Sequence, residues 1–219
     1  MKIYTKLFPD LPPVKLDRSK AALVIIDMQK LDAHPDFGWG RQLKENGTFD
    51  GARWFFDNLR EEVIPNLQKL LSSFRAAAAP VIHVRIIHRG AAGQDRTAHH
   101  KRWDILCDPN TPEADFLDEV KPETGEYIFE KVGTSPFNST GIDQTLRNLG
   151  VEQLIVCGVN TTSCVYLTVR DAIDRGYATF VVPDASSALA GKDEHEAALS
   201  RLVAAAAIPL STDDIIRGG

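Results

Sequence analysis

The chain predicts an α/β fold: a single doubly wound domain whose parallel sheet of about six strands carries helices on both faces. Two observations predict it. Short apolar runs recur without the alternation of a half-exposed strand, and each is separated from the next by a segment of helical periodicity. The first run, Ala21 to Ile26, is too short for a helix and reads as a strand buried on both faces. Val81 to Ile87, Leu154 to Val159 and Ala178 to Val182 repeat the pattern, the second interrupted by His83 and Arg85. Between the first two, Val63, Leu67, Leu70, Leu71 and Phe74 fall at helical spacing, with Ala76 to Ala79 carrying the helix towards Pro80. Asn138, Ser139 and Thr140 offer N-caps for a helix bearing Ile142, Leu146 and Leu149 and closed by Gly150. Val165, Val169, Ala172 and Ile173 mark another, closed by Gly176, and an Ala-rich one spans 193–206. Ahead of all these, residues 1–20, with Pro9, Pro12 and Pro13, read as an extended leader over the surface.

With 219 residues and no repeat or linker, residues 1–219 form one domain. The formal net charge of -5 argues against nucleic acid or an anionic membrane held by bulk electrostatics, so the expected partner is a small molecule or a second copy of the chain. No apolar run approaches the roughly 20 residues that span a bilayer, and the start has no apolar signal region, which reads as cytoplasmic. Cys107, Cys157 and Cys164 lack the spacing of a disulfide framework or a zinc site.

Ligands of doubly wound sheets bind beyond the carboxyl ends of the strands. That rule selects Asp27 and Gln29, His88 and Arg89, and the turn from Gly158 to Cys164. Cys164 falls in the first turn of a helix, where unbonded N–H groups and the dipole favour a thiolate, a setting that suits a nucleophile. Cys157 and Cys107 read as packing residues. A carboxylate at Asp27 is costly to desolvate without a cation, for which Lys131 and Arg85 are the candidates; a lone Asp after a strand serves equally well as a structural cap.

AALVIIDMQ, EKVGTSPFNST, VCGVNTTSCVYLTVRDAIDRGY and VVPDASS, in that order, resemble the isochorismatase-like cysteine hydrolases, which include nicotinamidases, N-carbamoylsarcosine amidase, ureidoacrylate amidohydrolase and biuret hydrolase. The likeness covers nearly the whole chain after residue 20, and its most specific motif runs from Gly158 to Val165. The resemblance implies a triad of Asp27, Lys131 and Cys164, and an oxyanion hole made by the backbone N–H groups of Asn160 and Cys164. It also implies a cis peptide before Asn160 and a pocket aromatic at Phe137. The chemistry agrees: a carboxylate held by an ammonium can take the thiol proton and return it to a leaving nitrogen.

The resemblance also guides the choice of reaction. Members that cleave a vinyl ether without a covalent intermediate carry Gly where this chain has Cys164, so an amidase acting through a thioester is expected. Nicotinamidases hold a metal with Asp and His ligands after the first strand. Here the segment from His34 to Leu59 offers Asp50 and Asp57 with one histidine, so no catalytic metal is expected. The remaining histidines, His83, His99, His100 and His195, read as packing or surface residues. No cofactor is expected either, since IIDMQKLDAH lacks the glycines of a dinucleotide loop. What remains is a small linear amide, ureide or N-carbamoyl substrate. Gln29, His88 and Thr161 are candidate pocket residues. The segment LDAHPDFGWGRQLKENGTFDGARWFF reads as a loop that brings Phe37, Trp39, Trp54, Phe55 and Phe56 near the site, as a substrate wall, a lid or a subunit contact. The last use, with the habit of the resembled family, makes a homo-oligomer the expected state. Residues 88–103 read first as a solvated basic loop, in which Arg89, Arg96 and Arg102 are also positioned to select an anion.

Overall fold

The structure, a computed structural model, describes residues 14–90 and 92–218. The prolines expected to shape the leader, Pro9, Pro12 and Pro13, lie outside the described residues. Six parallel strands form the sheet: β1 (Ala21–Ile26), β2 (Val81–Ile86), β3 (Tyr127–Lys131), β4 (Gln153–Val159), β5 (Ala178–Ser187) and β6 (Ile208–Pro209). Their order is β3-β2-β1-β4-β5-β6, with the chain turning outward in both directions from β1.

β1 lies in the middle and is buried along its whole length, which is why its sequence shows no alternation. Leu23 and Ile25 point into one apolar layer with Leu67, Leu70, Leu71 and Phe74, while Ala22, Val24 and Ile26 point into the other with Leu146, Val165 and Val169. The helices follow: α1 (Lys30–Ala33), α2 (Gly38–Glu45), α3 (Arg53–Asn58), α4 (Ile64–Ala76), α5 (Ala98–Arg102), α6 (Ile142–Asn148), α7 (Cys164–Asp174), α8 (Lys192–Ala204) and α9 (Thr212–Arg217).

Several boundaries differ from the sequence reading. α4 stops at Ala76, and Ala77 to Ala79 form its closing turn, with Ala78 at φ +50. α6 starts only at Ile142, because Pro136 to Asn138 form a separate 3-10 turn; Thr140 still serves the helix, its hydroxyl accepting the Ile142 N–H. β5 continues through Pro183 and Asp184 to Ser187, and its ladder to β4 shifts register between Val156 and Gly158, so that stretch does not look like a strand in sequence. The segment expected to be a loop is instead largely helical, comprising α1, α2, a 3-10 turn at Phe49–Ala52, and α3. Its aromatics do not form an exposed cluster: Phe55 and Phe56 are buried in the core, and Phe49 and Trp54 pack against it. The compact path depends on Gly38, which has φ +41 and where a Cβ would stand 2.0 Å from the carbonyl oxygen of Leu31.

Candidate active site

The carboxyl ends of β1, β3 and β4 bring three side chains together. Asp27 follows the last residue of β1 in a left-handed conformation, φ +52, its N–H bonded to the Val84 carbonyl of β2. Lys131 ends β3 and is completely buried. Cys164 is the first residue of α7, reached from β4 through the turn Asn160–Ser163. Lys131 Nζ stands 2.8 Å from Asp27 Oδ2 and donates to Cys164 Sγ at 3.4 Å. Of the two cations weighed for Asp27, the fold therefore supplies Lys131. Arg85 is turned to the edge of the sheet, pairing with Glu130 and donating to the Ala114 carbonyl.

β1 and β4 can meet this closely because residue 158 is glycine. Gly158 has φ +105, and a Cβ there would fall 2.1 Å from the Ile26 carbonyl oxygen, one residue before Asp27. The Val159–Asn160 peptide is cis. Asn160 accepts the Leu189 N–H on its side-chain Oδ1 at 2.7 Å, and its carbonyl receives the N–H groups of Ser163 and Val165, so the turn is held from both sides. Among the described residues the N–H groups of Asn160 and Cys164 donate to nothing else in the chain.

The electrostatics correct one expectation. Position at a helix start was expected to favour a thiolate, but burial pushes the Cys164 thiol up, and Asp27 and Asp32 reinforce burial against Lys131. Burial likewise raises the Asp27 carboxyl, with Lys131 opposing. Burial would lower the Lys131 ammonium, yet Asp27, Cys164 and Asp32 together hold it above its ordinary range. Lys131 is thus shared by the Asp27 carboxylate and the Cys164 sulfur.

Asp32, which sequence reasoning did not single out, is the fourth member of this group. It lies on α1 and is buried; burial, with Asp27 adding to it, raises its carboxyl well above the usual range against Lys131 and the Trp39 indole, and its Oδ2 has no partner among the described residues. The only sequence signal for it is its place five residues after Asp27, in a segment read as a loop near the site.

The other candidates are distributed around this centre. Gln29 is fully buried and committed to the scaffold: its Oε1 accepts the Ile86 N–H, and its amide nitrogen donates to the Ile86 and Glu113 carbonyls and to Cys107 Sγ. His88 accepts the Cys107 N–H on Nδ1 at 2.7 Å, and its buried Nε2 has no partner among the described residues. Thr161 is buried with its hydroxyl 2.9 Å from His195 Nδ1 on α8. Phe137 packs between the Arg175 guanidinium and the Tyr177 ring, in the same apolar layer as Cys164. Phe37 lies under the Lys30 ammonium, 5.4 Å from its ring centre, and against His34. Asp50 and Asp57 are paired with Arg53 and Arg60. Of the basic-loop arginines, Arg96 is bound to Asp104 and to the Gly93 and Ile105 carbonyls, while Arg89 and Arg102 are exposed.

The isochorismatase domain model matches residues 21–214. The chain is 27% identical over 206 residues to the ureidoacrylate amidohydrolase RutB of Methylobacterium radiotolerans, covering 87% of this chain and 76% of that protein. It is 27% identical over 164 residues to nicotinamidase 3 of Arabidopsis thaliana, covering 74% and 82%. A crystal structure of a cysteine hydrolase from Pseudomonas syringae pv. phaseolicola superposes with a TM-score of 0.79 over 95% of this chain and 96% of the other, at 24% identity, a likeness of fold. With the sheet order, the buried Asp27–Lys131–Cys164 cluster and a family match over nearly the whole described chain, this protein is a hydrolase of the isochorismatase domain family.

Proposed function

We propose that the chain is a cysteine amidohydrolase that cleaves a C–N bond of a small linear amide, ureide or N-carbamoyl compound through a thioester on Cys164, releasing ammonia. The observation that carries this reading is the Lys131 ammonium, 2.8 Å from Asp27 and 3.4 Å from Cys164 in a site closed to bulk water. Asp27 takes the thiol proton as Sγ attacks the carbonyl, then returns it to the leaving nitrogen. Lys131 keeps the carboxylate in place and compensates the thiolate as it forms. The N–H groups of Asn160 and Cys164 receive the oxyanion, where one such donor is worth a factor of roughly 100 to 1000 in rate. Water then enters as ammonia leaves, Asp27 removes its proton, and the thioester is hydrolysed. With nucleophile, proton carrier and cation all supplied by side chains, the mechanism calls for no metal.

The named activities of the two relatives, on ureidoacrylate and on nicotinamide, support an amide substrate, and the second keeps a nicotinamidase-type reaction as the alternative. Phe37, Trp39, His88, Phe137 and Thr161 are proposed to wall the pocket, while Gln29, its amide already bonded to Ile86, Glu113 and Cys107, supports it from behind. Three unpaired cysteines fit a reducing, cytoplasmic compartment, and among the described residues no helix is long and apolar enough to cross a membrane. A homo-oligomer remains the proposed assembly. The test is ammonia release across biuret, ureidoacrylate, N-carbamoyl amino acids, maleamate and nicotinamide. Release from at least one linear compound with a kcat/KM above that for nicotinamide is expected. Release from nicotinamide alone selects the alternative, and release from none rejects the amidohydrolase reading.

A further inference from the structure

The turn that carries the Asn160 N–H is fastened by three bonds to the chain that follows Pro183 and Asp184. The Thr161 N–H donates to the Ser187 carbonyl at 2.8 Å, and the Leu189 N–H donates to Asn160 Oδ1 at 2.7 Å. The third bond comes from a helix: Thr161 Oγ1 stands 2.9 Å from His195 Nδ1. His195 lies on the buried stripe of α8 with Ala198 and Leu202, its ring 5.8 Å from that of Trp54 on α3. Thr161 is fully buried. Burial lowers the His195 ring against Glu196 and the Pro183 carbonyl, so at neutral pH the contact joins two uncharged groups. Such a pair adds little to stability, because two apolar side chains of the same shape would fill the space about as well. What it adds is direction, since a hydrogen bond has a preferred length and angle and an apolar contact has neither.

We infer that His195 is a positioning residue for the oxyanion hole: through Thr161 it holds the turn in which the Asn160 N–H meets the reacting carbonyl oxygen. The inference rests on the amidohydrolase reading above. The Cys164 N–H is set by α7, whereas the Asn160 N–H belongs to a turn between β4 and that helix. The trans peptide that follows Asn160 is bonded at both ends, its carbonyl by the Ser163 and Val165 N–H groups and its N–H by Ser187. In a trans peptide those two directions are opposed, so the bonds leave rotation about the line that joins them. The side chains of Asn160 and Thr161, bonded to Leu189 and His195, lie off that line and stop the rotation. Without His195 the turn swings and carries the Asn160 N–H with it, and a misplacement of about 1 Å costs up to about a hundredfold in rate.

The experiment uses two reagents that both end on Cys164 Sγ of the full-length protein. p-Nitrophenyl acetate acetylates the sulfur with loss of p-nitrophenolate, through a tetrahedral oxyanion. Methyl methanethiosulfonate transfers a methylthio group to the sulfur with loss of methanesulfinate, and no carbonyl takes part. Cys164→Ala supplies the background, and the ratio of acetylation to methylthiolation is normalised to that of 2-mercaptoethanol. His195→Phe keeps a ring beside Trp54, and Thr161→Val keeps the shape of the side chain. Each is expected to lower the ratio by more than about tenfold with methylthiolation unchanged. The double variant falls no further than either single one. His195→Asn, whose amide puts a hydrogen-bonding group where Nδ1 was, restores most of the ratio. Where His195→Phe fails to fold, Thr161→Val and His195→Asn decide. A ratio that Thr161→Val retains, single losses that multiply in the double variant, or methylthiolation that slows in step with acetylation overturns the inference. A wild-type ratio no higher than that of 2-mercaptoethanol overturns it together with the amidohydrolase reading. A ratio that falls as expected in a protein that releases ammonia from no substrate rejects only the latter.

Discussion

Lys131 and Cys164 touch across the sheet: the ammonium that ends β3 donates to the thiol that begins α7, although β2 and β1 lie between β3 and the strand that leads to Cys164. Asp27, in a left-handed conformation after the end of β1, lies beside the contact with its Oδ2 2.8 Å from the same ammonium. The three groups therefore form one unit, and the first predictions concern what happens when one of them is removed.

Cys164→Ala and Cys164→Ser are expected to abolish ammonia release and leave the circular dichroism spectrum and melting temperature nearly unchanged. The side chain is small, and its loss leaves the Asp27–Lys131 pair intact. Turnover above a few per cent of wild type in both variants would show that sulfur is not the nucleophile. An acid-quenched acyl adduct on Cys164 in the wild type would show directly that it is.

Lys131→Met leaves the Asp27 carboxylate buried with no cation, and Asp27→Leu leaves the converse. Each is expected to destabilise the protein by about 3 to 5 kcal/mol, whereas the double variant recovers part of that loss because neither member of the pair is left without the other. Urea denaturation of the four proteins completes the cycle. Additive losses would mean that Asp27 and Lys131 do not depend on each other.

At Gly158 the prediction concerns backbone rather than charge. Gly158→Ala puts a methyl 2.1 Å from the Ile26 carbonyl oxygen in a conformation that L residues rarely adopt. The strands must separate next to Asp27, so a loss of more than about 2 kcal/mol is expected, with kcat falling even at temperatures where the variant is folded. Wild-type stability and kcat would contradict the close approach. Gly150→Ala, at a position open to solvent, provides the comparison.

Stability is expected to decline below neutral pH in two stages. Burial, with Lys131 adding to it, lowers His100 to about 4, and burial also lowers His83, His88 and His195. Their folded values lie below the unfolded one near 6.5, so the stability they contribute is complete above that pH. It is lost as the pH falls from about 6.5 towards 4, at up to about 1.4 kcal/mol per pH unit for each group that titrates. Burial would raise Glu126, but hydrogen bonds from Arg75 and the Glu123 N–H, with His83, hold it at about 2. A second loss therefore runs from about 4.5 down to 2. A urea midpoint unchanged between pH 7 and pH 4 would refute the first stage.

What could be read in advance follows from what each segment buries. β1 and β4 are covered on both faces, so their apolar runs match their observed extents almost residue for residue. β5 was truncated at Val182 because Pro183 and Asp184 look like the end of a strand, while the register shift against β4 tolerates both. β6 has only two residues and gives no periodic signal. The helices after β1 were hidden by Pro35, Gly38, Gly40, Gly47 and Gly51, which read as loop; Gly38 and Gly40 are instead contact points where backbone packs on backbone. Asp27 and Cys164 could be placed together because a strand end and a specific motif locate them, and Lys131 because the resemblance sets it beside them. Asp32 could not, since nothing in its neighbours' identities announces that its carboxyl turns inward.

The position of β1 also governs the order in which the molecule can be made. β1 is bordered by β2 and β4, and its residues 21 to 26 pair in register with 153 to 158. A growing chain that has emerged as far as β3 can already form the β1–β2–β3 half, yet one edge of its most apolar strand stays open until β4 is synthesised. This half-sheet is the species most exposed to mispairing with other chains, and the one a ribosome-associated chaperone has most reason to cover. It also holds Asp27 and Lys131 but not Cys164, so the nascent protein acquires its charged pair well before the thiol that completes the cluster, which is assembled only when the central strand is closed on both sides.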